Sequence, residues 1–258
     1  MSNRIKELFQ QKNKNILSIF CTAGFPNKND IVSILEHAQK NGVDMVEIGM
    51  PFSDPTADGP VIQYSNTIAI NNGMTLKVLF EQLKDIRQKI NIPLVLMGYF
   101  NPVYQYGVEN FLNDANACGI DGVIIPDLPM YEYETMYQQM FEKYKLKNIF
   151  LVTPQTSTER IKKIDVLSDA FIYIVSSNAI TGGNADIQES QEKYFQRIQA
   201  MQLNNPIVIG FGIKDKSTFD TACNYANGAI IGTAFIKAID QSKDLENDIA
   251  SFIKKIQA

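Results

Sequence analysis

The segment DMVEIGMPFSDPTADGPVIQ, residues 44–63, places one carboxylate inside an apolar run and two more in the stiff stretch that follows it. Glu47 interrupts a run typical of a buried strand, whereas Asp54 and Asp58 lie among prolines and glycines. Burial raises the pKa of a carboxyl group and lets it carry protons near neutral pH. A second carboxylate in a more polar setting can hold a fixed negative charge. Glu47 and Asp58 therefore predict acid–base chemistry.

Each of these carboxylates also has a structural interpretation. Glu47 can be a buried carboxylate that nearby donors satisfy, because structural networks also perturb such groups. Asp58 precedes Gly59 and Pro60, which is a common turn sequence. The residue types alone leave both interpretations open.

Glycines after the late apolar runs indicate a phosphate site. Gly210-Phe211-Gly212 and Gly232-Thr233 each follow an apolar run and precede a helical pattern, and TGGN at 181–184 adds two more glycines. Backbone N–H groups at such turns hold phosphate, especially beside a helix N-terminus. A dinucleotide fingerprint requires a third glycine at the position of Asp215, so phosphate binding is favoured over dinucleotide binding.

The sequence lacks the residues that several other reaction mechanisms require. No lysine ends an apolar run, which argues against a Schiff-base aldolase. The single histidine, His37, cannot form a multi-histidine metal site or a catalytic triad, and no acidic cluster suggests a metal. The three cysteines are widely spaced and form no CxxC motif, so we expect free core thiols in a reducing compartment.

Eight apolar runs, separated by helix-length amphipathic segments, must position these residues. The runs span residues 16–24, 44–50, 92–100, 120–128, 147–154, 170–177, 205–212 and 228–235. Apolar strands that alternate with helices predict a parallel sheet covered by helices, and eight such units predict a closed (β/α)8 TIM barrel. A doubly wound open sheet is the alternative that periodicity leaves open. We expect residues 1–258 to form one such domain.

Two extra helices are expected around the barrel. Ile5, Leu8 and Phe9 have helical spacing and predict a short amphipathic helix before the first strand. The glycines of the eighth run predict a short helix directly after that strand. Because side chains alternate along a strand, Val46 and Ile48 should face the helices and Glu47 the barrel interior, near the strand ends where barrel active sites lie.

Charge and hydropathy exclude some partners. The formal net charge of −4 argues against nucleic acid, and no apolar run is long enough to cross a membrane. The N-terminal residues are polar and lack the apolar core of a signal peptide, so a cytoplasmic location is expected.

The segment VEIGMPFSDPTADGPVIQ (46–63) closely resembles the signature of the tryptophan synthase alpha subunit family. Similar motifs occur along nearly the whole chain: CTAGFP (21–26), MGYFNPVYQYG (97–107), DGVIIPDLP (121–129), TPQTSTERIKKI (153–164), GFGI (210–213) and IIGTA (230–234). The resemblance implies a metal-free lyase, without a cofactor in this chain. Such a lyase cleaves indole-3-glycerol phosphate to indole and glyceraldehyde 3-phosphate in a retro-aldol step.

The resemblance also implies a role for each site residue. Glu47 would protonate indole C3 and take the proton of the glycerol hydroxyl, and Asp58 would accept a hydrogen bond from indole N1–H. The indole and the reacting groups would be surrounded by Phe20, Met97, Tyr99, Ile124, Tyr173, Thr181 and Phe211. The phosphate would lie on Gly182, Gly183, Gly212, Ile213, Gly232 and Thr233. The segment SSNAITG (176–182), which corresponds to the lid of the family, departs from the family pattern, with Ser177 in place of an arginine and Ala179 in place of a glycine.

A partner follows from the same resemblance. The implied partner is a tryptophan synthase beta subunit that carries pyridoxal phosphate, in an alpha2-beta2 complex, with contacts at Asp54, Pro55 and Asn101. Two alternatives are a stand-alone indole-glycerol-phosphate lyase and a weakly catalytic, ligand-sensing regulatory subunit. Retention of both Glu47 and Asp58 argues against the regulatory subunit.

Overall fold

Nine parallel strands form one sheet in the computed structural model, which describes residues 3–175, 184–210 and 212–258, with the backbone alone over 184–190. The strands are β1 (Ile16–Thr22), β2 (Met45–Gly49), β3 (Leu94–Met97), β4 (Gly122–Ile124), β5 (Lys147–Asn148), β6 (Leu151–Val152), β7 (Ile172–Val175), β8 (Ile207–Gly210) and β9 (Gly228–Ile231). They are hydrogen-bonded in the order β5-β4-β3-β2-β1-β9-β8-β7-β6.

The sheet closes through the fifth predicted run, which contains two short strands rather than one. Strand β5 pairs with β4, and β6 pairs with β7. Between them, the Ile149 N–H donates to the Val123 carbonyl at 2.9 Å, and the Phe150 carbonyl accepts from the Tyr173 N–H at 3.0 Å. Because β5 and β6 are consecutive segments of one run, the nine strands occupy eight positions around the barrel. This closure confirms the predicted TIM barrel and excludes the doubly wound sheet.

Except for the first helix, which precedes β1, the helices follow strands and cover the outside of the barrel. They are α1 (Arg4–Gln11), α2 (Ile31–Lys40), α3 (Pro60–Asn71), α4 (Leu76–Leu83), α5 (Phe100–Tyr106), α6 (Val108–Ala117), α7 (Met130–Glu132), α8 (Gln138–Lys143), α9 (Thr158–Leu167), α10 (Asn184–Ala200), α11 (Lys216–Tyr225), α12 (Thr233–Ile239) and α13 (Leu245–Gln257). A 3₁₀ turn spans Ile86–Gln88, and a π-helical turn at Tyr133–Tyr137 joins α7 to α8.

The buried apolar side chains form two clusters on opposite sides of the sheet. Met45, Val95 and Val208 belong to the cluster inside the barrel. Val46 and Ile48 belong to the larger cluster between the strands and the helices. The alternation predicted for β2 is therefore present, and it turns Glu47 inward between its neighbours.

Helix α1 covers the amino-terminal end of the barrel. Its Ile5 side chain is part of the interior cluster, and the ring of Phe9 lies 5.9 Å from that of Phe171. The Arg4 guanidinium pairs with the buried carboxylate of Asp121, just before β4, at 3.1 Å. Packing and charge thus fix this helix beneath the strands.

Two further features concern the whole chain. The three cysteines, Cys21, Cys118 and Cys223, are buried and free. Within the described ranges, the structure contains no helix that is both long and apolar enough to cross a membrane.

Candidate active site

Glu47 lies on β2 with its side chain in the barrel interior. Its register neighbours are Phe20 on β1 and Val95 on β3. The residue is fully buried, and neither carboxylate oxygen has a hydrogen-bond partner among the described residues. Burial raises the pKa of Glu47 to about 8, so the group is protonated at neutral pH. A carboxyl group without a donor among the described residues fits a proton carrier better than a structural carboxylate.

Asp58 follows β2 in a tight turn. Its own N–H donates to the carbonyl of Pro55 at 3.0 Å. The hydroxyl of Tyr99 donates to Asp58 Oδ2 at 3.2 Å and accepts from the N–H of Ala57 at 3.0 Å. Burial raises the pKa of Asp58, and the hydrogen bond from Tyr99 partly opposes this shift. The turn and the tyrosine thus fix a half-buried carboxylate at the carboxyl end of the barrel.

A cavity of about 400 Å³ opens beside this turn. Its wall consists of Phe20, Asp58, Gly59, Ile62, Met97, Tyr173, Gly212, Ile213, Lys214, Ile230, Gly232, Thr233, Ala234 and Lys237. The volume is in the range of small-molecule sites, and the wall combines apolar side chains with a few polar groups, as such sites usually do. The cavity can therefore hold an aromatic ring and an attached polar group.

Two glycines make room for the aromatic side chains of the wall. A Cβ atom at Gly49 would lie 2.4 Å from the ring of Phe20, and one at Gly210 would lie 2.0 Å from the Tyr173 hydroxyl. The ring of Phe20 consequently packs over the face of β2 that carries Glu47. Burial raises the pKa of Tyr173, and the charges of Glu47 and Asp58 add to this shift.

The glycine-rich turns after β8 and β9 meet on the same wall. Gly212 has a φ of +74°, a left-handed conformation that favours glycine. Gly232 is the N-cap of α12, which begins at Thr233. Backbone N–H groups at such a position attract anions. This end of the cavity is suited to a phosphate group.

The structure brings together most of the predicted site residues that it describes. Phe20, Met97 and Tyr173 lie on the cavity wall with Asp58, as do Gly212, Ile213, Gly232 and Thr233 at the phosphate end. Ile124 is instead buried in the interior cluster, and Tyr99 lies against Asp58. Thr181, Gly182, Gly183 and Phe211 lie outside the described residues, as do the lid positions Ser177 and Ala179.

Some wall residues were absent from the sequence prediction. Ile62 and Lys237 each lie four positions after a predicted site residue, Asp58 and Thr233 respectively. Lys237 shares a face of α12 with Thr233, one turn along, so helical spacing is the signal that finds it. Ile62 lies in the first turn of α3, whereas Asp58 precedes that helix, so the same signal does not apply to it. Lys214 directly follows the predicted Gly212 and Ile213, so extending the predicted segment by one residue includes it.

The residues predicted to meet a partner lie on the surface at the same end of the barrel. Asp54 and Asn101 are exposed, and Pro55 is half-buried. Nearby on α5, the side chain of Tyr104 is 62% exposed. In the parts of the chain that the structure describes, no group of three or more His, Cys, Asp or Glu residues is arranged to hold a metal ion.

A family model described as "Tryptophan synthase alpha chain" matches residues 7–258. The chain belongs to the tryptophan synthase alpha chain family. Among curated tryptophan synthase alpha chains, that of Flavobacterium psychrophilum is 54% identical over 254 residues, which cover 98% of this chain and 99% of the relative. That of Christiangramia forsetii is also 54% identical, over 256 residues and 99% of both chains. The resemblance inferred from the sequence motifs is confirmed.

Solved structures of tryptophan synthase have the same fold. The alpha subunit from Legionella pneumophila matches with a TM-score of 0.90 and 30% identity over 100% of this chain and 98% of that one. A chain of the aminoacrylate-bound tryptophan synthase from M. tuberculosis matches with a TM-score of 0.86 and 26% identity, over 99% and 98% of the two chains. These matches support the TIM barrel derived from the strand pairing.

Proposed function

We propose that this chain cleaves indole-3-glycerol phosphate by a metal-free acid–base mechanism in which Glu47 moves the protons and Asp58 stabilises charge. Membership of the family makes the chain a lyase subunit, the alpha subunit of tryptophan biosynthesis. The observation that carries the mechanism is the buried Glu47 carboxyl, without a partner among the described residues and with its pKa raised to about 8.

The first step is protonation of the indole ring. The neutral Glu47 carboxyl donates its proton to C3, because a free indole carbanion would be a poor leaving group. Positive charge then develops at N1. Asp58 accepts a hydrogen bond from N1–H, and this hydrogen bond becomes stronger as the charge grows. Tyr99 holds the Asp58 carboxylate through the 3.2 Å contact between its hydroxyl and Oδ2.

The second step breaks the carbon–carbon bond. The Glu47 carboxylate takes the proton of the adjacent glycerol hydroxyl, the C–C electron pair returns to the indole ring, and the hydroxyl carbon becomes an aldehyde. Glu47 ends the cycle protonated, as it began. The phosphate of the substrate would lie on the turns at Gly212 and Gly232, beside the start of α12.

The working assembly includes the beta subunit of tryptophan synthase, which binds pyridoxal phosphate, whereas the alpha chain family carries no cofactor. We propose an alpha2-beta2 complex in which Asp54, Pro55 and Asn101 contact the partner. Exposure of Asp54 and Asn101 beside the cavity supports this position. Docking there would stabilise the loop that carries Asp58 and increase the population of the active arrangement.

We further propose that residues 1–258 act as one domain in the cytoplasm. The packing of Ile5 in the barrel interior and of Ile249 in the outer cluster supports a continuous fold from α1 to α13. The free, buried cysteines fit a reducing compartment.

The test is indole release from indole-3-glycerol phosphate by the purified chain, with and without a titrated beta subunit and after treatment with a chelator. We expect slow release alone, strong activation by the partner and no effect of the chelator. Fast release without activation would identify the stand-alone lyase. Absence of cleavage under all conditions would identify the regulatory subunit, and loss of activity with the chelator would contradict the metal-free mechanism.

A further inference from the structure

Two lysines stand at the end of the cavity that contains the glycine turns. Lys214 comes two residues after Gly212, and Lys237 lies one helical turn after Thr233 on the same face of α12. Both side chains are exposed and both form part of the cavity wall. They are the cationic residues of the wall as far as the structure describes it.

In the described part of the chain, the two lysines interact with the fold only through weak local electrostatics: the charge of Lys214 helps to lower the pKa of Asp215, and Lys237 lies in the last turn of α12. No ion pair or side-chain hydrogen bond joins either ammonium group to a described residue. Asp215, next to Lys214, instead caps α11 by accepting the Thr218 N–H at 2.9 Å. By contrast Lys216, on the same helix, pairs with Asp220 at 3.1 Å. The two cavity lysines are therefore available to an anion.

The charges of the cavity are unevenly distributed. Asp58 lies on the wall with Glu47 buried nearby, whereas Lys214 and Lys237 flank the glycine turns. The chain as a whole carries a formal net charge of −4, which repels a dianionic phosphate. A local cluster of cations in a cleft overcomes such repulsion and concentrates the anion there. The same asymmetry favours one orientation of a ligand that has a phosphate at one end and an N–H donor at the other.

We propose that Lys214 and Lys237 determine specificity for the phosphate group and orient the substrate, adding side-chain charge to the backbone N–H groups of the turns. This inference rests on the proposed function, since it names the residues that recognise the phosphate of that substrate. Because the lysines contact the group that does not react, they contribute equally to substrate and transition state. Their loss should therefore raise KM and leave kcat nearly unchanged.

The test replaces each lysine by methionine, which keeps the length of the side chain and removes its charge. We expect Lys214→Met and Lys237→Met each to raise KM for indole-3-glycerol phosphate about threefold at low salt, and the double variant about tenfold, as for exposed charge pairs. Added salt should narrow these differences. Lys214→Arg and Lys237→Arg should retain most of the affinity. The matched control is Lys216→Met, a nearby lysine outside the cavity, which should behave as the wild-type protein.

Calorimetry with glycerol 3-phosphate and with indole gives a second readout that does not require turnover. The double variant should bind glycerol 3-phosphate more weakly and indole as before. Unchanged KM and unchanged glycerol 3-phosphate affinity in the double variant would overturn the inference, as would an equal loss for indole. A wild-type chain that binds glycerol 3-phosphate through these lysines but releases no indole would refute the proposed function and leave the phosphate site standing.

Discussion

Replacement of Glu47 by glutamine should remove both the proton carrier and a pH-dependent loss of stability. Glutamine has nearly the same volume as glutamate but cannot carry the proton, so we expect cleavage to fall by at least about 10³-fold while the fold persists. The second effect follows from burial, since the wild-type pKa lies at about 8 in the folded protein against an ordinary value of 4.5. It can be measured without substrate.

The sign and size of the stability effect follow from proton linkage. Between pH 4.5 and about 8, the folded protein retains a proton on Glu47 that the unfolded chain has released. The free energy of unfolding therefore falls as the pH rises, by about 1.4 kcal/mol per pH unit and about 5 kcal/mol over the whole interval. Below and above that interval, this residue adds no further pH dependence. The Glu47→Gln variant lacks the titrating group and should lack this slope.

Urea unfolding of both proteins at a series of pH values from 4 to 9 measures the difference. The variant should gain stability relative to wild type as the pH rises, by an amount that levels off above about pH 8. Burying the glutamine amide changes the free energy of unfolding by the same amount at every pH, so it does not affect the difference in pH dependence between the two proteins. Glu142→Gln, the same change at an exposed position on α8, should follow the wild-type curve. Parallel curves for wild type and Glu47→Gln would refute the assignment of Glu47 as a neutral buried acid.

Five further outcomes are expected. The wild-type kcat/KM should decline as the pH rises through about 8, because the proton that Glu47 must donate is then lost; a profile that rises there would assign it the opposite role in the first step. Asp58→Asn should lower kcat at least about 10²-fold through loss of charge stabilisation, and Tyr99→Phe should lower it less, by about tenfold, because the 3.2 Å contact only positions Asp58. Gly232→Ala should weaken binding of glycerol phosphates and spare indole. The fold itself should persist, since the added Cβ would meet Phe20 at an ordinary 3.5 Å; equal losses for both ligands would indicate misfolding. Asp54→Ala should reduce activation in a titration with the beta subunit and leave the slow rate of the isolated chain unchanged.

The sequence predicted those features of the site that depend on local pattern. The apolar residues Val46 and Ile48 had to face the helices, so the inward direction of Glu47 followed from alternation alone. The glycines near Gly212 and Gly232 followed from their position after late strands. Each of these inferences needs only neighbouring residues and the general geometry of a parallel barrel.

Features that depend on distant contacts were not visible in the sequence. Tyr99 was expected to line the cavity, but its hydroxyl contacts Asp58 across 41 positions of the chain. The fifth run was expected as one strand, yet its hydrogen bonds divide into β5 with β4 and β6 with β7. Ile149 still points inward and Phe150 outward across that division. The split concerns the hydrogen bonds and not the direction of side chains, so an apolar run cannot reveal it.

The position of helix α1 has a consequence for where small molecules can enter and leave the barrel. With Ile5 inserted among the interior side chains and Arg4 bound to Asp121, this helix closes the amino-terminal end of the barrel. The cavity lies at the opposite end, where Asp58 and the glycine turns are. A beta subunit bound at that end, on the proposed contact surface, would cover the cavity, so indole released there would pass into the subunit interface and be shielded from the surrounding water.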